Sequence, residues 1–240
     1  MAHLTIGSLI FDDLDQVDLT GPHEVLSRLP DTTWQIYAKT MAPVRDMKGL
    51  RILPDALLEE APQLDVLHIP GGFGVDAQML DPVILDWVRR QAEGAKVVFT
   101  VCSGALLLGA TGLLRGKRAT THWASHHILP AFGAIPVNER VVEDGKFVTA
   151  AGVTSGFDGA LFLAAKLRGA EVAQGIQLYM QYDPRPPFDS GTPETAPPEL
   201  VAAARLAMAD VIARREATAA RIAAGFMLQP TELQKHRYHQ

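Results

Sequence analysis

Cysteine is nearly absent from the 240-residue chain: Cys102 stands alone, so no intramolecular disulfide framework can form. Long apolar runs are missing too. The best candidate, residues 97–108, is broken by Thr100, Cys102, Ser103 and Gly104 and falls short of the roughly 20 residues a membrane-spanning helix needs. Positive charge is in deficit, with 22 Lys+Arg against 27 Asp+Glu for a net charge of −5 and a pI near 5.9. With no run of basic residues, a nucleic-acid footprint is not expected. The first residues, MAHLTIGSLIFDD, lack the basic, apolar and small-residue pattern of a secretory leader, which makes a cytoplasmic protein the expectation. Disorder is excluded by a hydrophobic fraction of 48%.

What is present is an alternation of short β-branched runs with segments of helical period, the pattern of β-α-β units around a parallel sheet. Strands are expected at residues 4–11, 34–38, 49–53, 65–69 and 96–101, with a hairpin at 140–142 and 147–150 around Asp144-Gly145. Helices are expected at 21–29, 82–93, 103–114, 157–167, 170–182 and 199–224. The last is rich in Ala and Arg, and Leu200, Ala203, Ala207, Val211 and Ile222 offer it an apolar stripe. A domain over residues 1–225 is expected to include that helix, and the polar stretch 226–240 reads as a disordered or expression-derived tail.

Cys102 falls where a strand gives way at once to a helix, among the small neighbours Ser103 and Gly104. This resembles a nucleophile elbow, and free amides at a helix start predict a lowered thiol pKa. A buried structural cysteine is the bland alternative. The loop Pro70-Gly71-Gly72-Phe73-Gly74 follows a neighbouring strand, so its amides lie at the same carboxyl edge and are candidate oxyanion donors. Asp18, flanked by Val17 and Leu19, is either a turn or N-cap residue or a proton carrier whose pKa burial and a nearby thiolate would raise. His122, His126 and His127 cluster, but no Glu follows His122 and no third ligand is marked, so no metal is expected.

Taken together, Asp18 to Pro22 (DLTGP) with Glu24-Val25-Leu26, the Ile69 to Gly72 stretch (IPGG) and Val101 to Gly104 (VCSG) resemble the DJ-1/PfpI superfamily. Residues 118–124, Pro187-Phe188 and residues 191–197 make the chain most similar to its isocyanide hydratase branch, over roughly residues 4–224. The resemblance implies a flavodoxin-like α/β three-layer sandwich with a mainly parallel sheet, assembled as a homodimer. It also implies catalysis without metal or organic cofactor on an isocyanide substrate. Cys102 would be the nucleophile, forming a covalent thioimidate that water opens to an N-substituted formamide. Asp18 would handle protons from the place where many superfamily members carry Glu. Ser103, where that branch carries Thr, would retain the hydroxyl; Gly71, Gly72, His122 and Val153 would line the substrate site. Proteases and glyoxalases of the superfamily usually place His after the cysteine, so Ser103 argues against them. Another cysteine-dependent activity of glyoxalase type, and a ligand or redox sensor without catalysis, are the alternatives.

Overall fold

The computed structural model describes residues 2–228, and the end of the expected tail, 229–240, lies outside them. Seven strands form the central sheet: β1 (Leu4–Leu9), β2 (Thr32–Ala38), β3 (Ala56–Leu57), β4 (Val66–Ile69), β5 (Val97–Val101), β6 (Val141–Asp144) and β7 (Phe147–Ala150). Their spatial order is β6-β7-β5-β4-β1-β2-β3. Every pairing is parallel except the β6-β7 hairpin, which turns at Gly145 with φ +66°. β4 and β5 are buried along their whole length, as central parallel strands covered on both faces must be.

The pleat sends alternate side chains to opposite faces. Val97, Phe99 and Val101 pack with Val25, Leu26, Ala160 and Leu163 on one side; Val98 and Leu67 pack with Trp87, Val88, Leu106 and Leu107 on the other. The first side is covered by α1 (Gln16–Leu26), α5 (Ser155–Arg168) and α6 (Ala170–Tyr179). The second is covered by α2 (Val75–Gln78), α3 (Pro82–Gly94) and α4 (Gly104–Ala110). A 3-10 helix, Trp123–Phe132, and the long α7 (Pro198–Leu228) lie against each other on that second side.

Local chemistry sets the helix ends. Asp81 caps α3 by accepting from Val83 N at 2.9 Å, and Pro82 takes the first turn, where its missing amide has no cost. Asp15 caps α1 in the same way through Val17 N at 3.0 Å, so this helix begins earlier than the expected Gly21 and places Asp18 in its first turn, not ahead of it. Residues 49–53 supply only Arg51–Ile52, paired with Val44–Arg45 away from the main sheet.

The expected stripe on α7 is out of register in its first half. Leu200, Ala203 and Ala207 are exposed, while Val201, Ala204 and Met208 are the half-buried positions, and Arg215 and Ala219 are buried. An alanine-rich helix offers several almost equivalent faces, and tertiary contacts rather than apolar periodicity selected this one. No helix among the described residues is long and apolar enough to cross a membrane.

Candidate active site

Strand β5 delivers Cys102 to the carboxyl edge of the sheet, and the chain then turns directly into α4. To make that turn Cys102 adopts φ +55°, a left-handed conformation that costs an L-residue on the order of 1–2 kcal/mol. Its amide donates to Ala150 O at 3.0 Å and its carbonyl accepts from Thr121 Oγ1 at 2.6 Å, which holds the elbow from both sides. Gly104 is required next: a Cβ there would lie 2.3 Å from Ile69 O.

Asp18 arrives from α1 and the glycine loop from the end of β4. Gly71 N donates to Asp18 Oδ2 at 3.0 Å. Gly72 N donates to Ser103 Oγ at 3.0 Å, and Ser103 Oγ donates back to Gly72 O at 3.0 Å. Gly72 has φ +125°, and a Cβ on it would meet Asp13 O at 2.4 Å. Cys102, Ser103, Asp18, Gly71 and Gly72 thus form one buried cluster. Both glycine amides are engaged within this cluster, Gly71 with Asp18 and Gly72 with Ser103.

Burial dominates the electrostatics. Desolvation, reinforced by Asp15, pushes the Asp18 carboxyl from 3.8 up to about 8, against the opposing hydrogen bonds from Gly71 and the Cys102 side chain. Its Oδ1 has no hydrogen-bond partner among the described residues. The Cys102 thiol is raised as well, by burial first and by Asp18 second, which overturns the expected lowering. The Ser103 amide and Arg215 pull the other way without prevailing. The helix start does not prevail: α4 is a short segment, Gly104–Ala110, and only 8% of Cys102 is exposed.

His122 and Val153 sit in a neighbouring cavity of about 490 Å³, also lined by Thr121, Trp123, Arg140 and Pro193. Burial lowers the His122 pKa to about 4, with Arg215 adding to the effect. The ring is therefore neutral and its Nδ1 accepts from Ala124 N at 3.3 Å. Residues 191–194 of the connector before α7 close one wall of this cavity. His127 stands apart and pairs with Glu216 at 2.7 Å.

Sequence reading missed two contributors. Thr121, which ties the strand-end loop to Cys102, carries no signal beyond its hydroxyl. Arg215 is one of several arginines on α7, yet it alone of Arg205, Arg214, Arg215 and Arg221 is buried.

Comparison with known proteins agrees with this architecture. The sequence profile of the DJ-1/PfpI family matches residues 5–166. The isonitrile hydratase of Pseudomonas putida is 48% identical over 226 residues, covering 94% of this chain and 99% of that one. The glutathione-independent glyoxalase DJR-1.2 of Caenorhabditis elegans is 27% identical over 168 residues, covering 69% of this chain and 89% of that one. A solved structure of a ThiJ/PfpI family protein from Pseudomonas syringae superposes with a TM-score of 0.89 at 39% identity, covering 91% of each chain. The chain belongs to the DJ-1/PfpI family.

Proposed function

We propose that this protein is an isocyanide hydratase, a lyase that converts R-NC and water into the N-substituted formamide R-NH-CHO. The observation that carries the reading is a carboxyl with a pKa near 8 buried against the elbow cysteine, in a chain 48% identical to the Pseudomonas putida enzyme along almost its whole length. A carboxyl that holds its proton near neutrality can both give and take one, which hydration of an isocyanide requires.

The reactive form is the Asp18-Cys102 pair with one proton between the two groups. Sulfur attacks the terminal isocyanide carbon, forming the S-C bond, and that carbon's electron pair takes the proton from Asp18. The product is the thioimidate R-N=CH-S-Cys102 with Asp18 ionised. Water then adds to the carbon. Asp18 accepts a water proton and passes it to nitrogen, leaving R-NH-CH(OH)-S-Cys102. As the C=O bond forms, the C-S bond breaks, the hydroxyl proton returns to Asp18, and the shared-proton pair is restored.

Ser103 and the Gly71-Gly72 backbone orient Asp18 and the attacking water, and the substituent R occupies the cavity of His122, Trp123 and Val153. A free thiol nucleophile is kept reduced in the cytoplasm, where we place the enzyme. We also propose a homodimer, in keeping with the exposure of Leu178 (82%), Tyr179 (72%) and Phe188 (77%); size-exclusion chromatography with light scattering tests this.

The test of the activity is product formation from an aryl isocyanide. Wild type is expected to release the N-aryl formamide, and Cys102→Ala to release none. Formamide from both proteins would remove Cys102 from the mechanism. Lactate from methylglyoxal without any formamide would move the activity to dicarbonyl chemistry.

A further inference from the structure

The C-terminal helix sends one charged side chain into the catalytic cluster. Arg215 is 5% exposed, an unusual state for a guanidinium and one tolerated only when its donors and charge are matched. Here they are. Nε donates to Asp76 Oδ1 at 2.6 Å, Nη1 to Ser125 Oγ at 3.1 Å and Nη2 to Gly72 O at 2.7 Å. The Gly72 carbonyl is the same one that accepts from Ser103 Oγ. One fork therefore joins α7, α2, the 3-10 helix and the glycine loop.

We propose that Arg215 is a positioning residue for the reaction at Cys102: its fork clamps the Gly71-Gly72 loop, and through that loop the Asp18 carboxyl and the Ser103 hydroxyl. Two features separate this from simple packing. The hydrogen bond to Gly72 O ends on the residue whose amide holds Ser103, next to the residue whose amide holds Asp18. The charge is also felt at the site, because Arg215 lowers the pKa of both Cys102 and His122. The charged groups acting on the sulfur are Asp18 and Asp15 from the α1 side, which oppose ionisation, and Arg215 from α7, which favours it. Asp76 on α2 partly neutralises Arg215, and His122 is neutral. Lysine has the charge but not the planar fork, so the two contributions can be separated by substitution.

The proposal rests on Cys102 being the nucleophile; the charge half of its test does not need hydratase turnover, and the clamp half reads kcat. Since Cys102 is the only cysteine, the pH dependence of its alkylation by iodoacetamide reads that thiol alone in the full-length protein. Arg215→Gln is expected to move the alkylation midpoint up by roughly half a unit to one unit, and Asp76→Asn, which leaves Arg215 uncompensated, to move it down. Arg215→Lys should keep the midpoint near wild type but lower kcat on the order of tenfold with KM little changed, because the loop loses its fork. A packing role alone would not shift the Gln and Asn variants in opposite directions. If Arg215→Gln does not fold, Asp76→Asn and Arg215→Lys still decide the matter. A midpoint unmoved in Asp76→Asn, midpoints moving the same way in Arg215→Gln and Asp76→Asn, or an unchanged kcat in Arg215→Lys would overturn the proposal. Absence of hydration in wild type together with opposed alkylation shifts would leave the charge effect of Arg215 on Cys102 standing and refute the proposed reaction instead.

Discussion

Replacing Asp18 with Asn removes a buried ionisable group while keeping its shape, and the structure sets the size of the effect. In the unfolded chain the carboxyl ionises near 3.8; in the folded protein it does so near 8. At pH 7 the folded state must therefore hold a proton that the unfolded state has released, over a gap of about three pH units, or roughly 4 kcal/mol at about 1.4 kcal/mol per unit. The sign follows from proton counts. Above the unfolded value the native state binds more protons, so this group's penalty is absent below about pH 4, grows as the pH rises, and levels off beyond about 8. Asp18→Asn is free of that penalty. Urea denaturation of both proteins from pH 5 to 8 should show the variant more stable, with its advantage widening by roughly 3 kcal/mol between pH 5 and 7. Other titrating groups cancel in the comparison. An advantage independent of pH would mean that Asp18 ionises at its ordinary value in the folded protein, and the proton-shuttle role would fall with it.

The remaining predictions concern activity. kcat/KM should rise with pH toward a plateau with an apparent pKa near 8, set by loss of the first proton from the Asp18-Cys102 pair; a flat profile from pH 6 to 9 would contradict this. The same limb should persist in His122→Asn, because His122 is already neutral above about 4. Gly71→Ala places a Cβ 2.6 Å from Ser103 N and 2.8 Å from Asp18 Oδ2, so turnover should fall by at least about a hundredfold, as displaced catalytic groups imply. Ser103→Ala removes both bonds to Gly72 and should cost about 1–3 kcal/mol in thermal or urea stability, with loss of kcat. Ser103→Thr, which retains the hydroxyl, should recover most of both.

Much of this was legible before any coordinates. Alternating buried strands and amphipathic helices defined the α/β class, and the abrupt passage from Phe99-Thr100-Val101 to Ser103-Gly104 marked the elbow because only a tight turn needs small residues immediately after a buried strand. The apolar flanks of Asp18 allowed two readings, a turn or cap residue and a buried proton carrier; burial does raise its pKa, but the charge that adds to the rise is Asp15, while the Cys102 side chain opposes it, contrary to the expected thiolate effect. The direction of the thiol shift was not legible, since a helix start is visible in sequence while burial beside the Asp18 carboxyl depends on how α1 packs at the end of β5. The glycine amides were legible as a loop but not as donors already committed to Asp18 and Ser103. Arg215 was hidden for a different reason: on a helix dominated by alanine, the buried face is chosen by partners that lie more than 80 residues away in sequence, at Ser125, Asp76 and Gly72.

The central claim is that Cys102 bonds to the isocyanide carbon during turnover, and quenched-flow intact-mass spectrometry during hydration of an aryl isocyanide tests it most directly. The account predicts a transient species heavier by the mass of one whole isocyanide, mapped by peptide analysis to Cys102 and absent in Cys102→Ala. Formamide release with no adduct at any time point, or turnover preserved in Cys102→Ala, would contradict it.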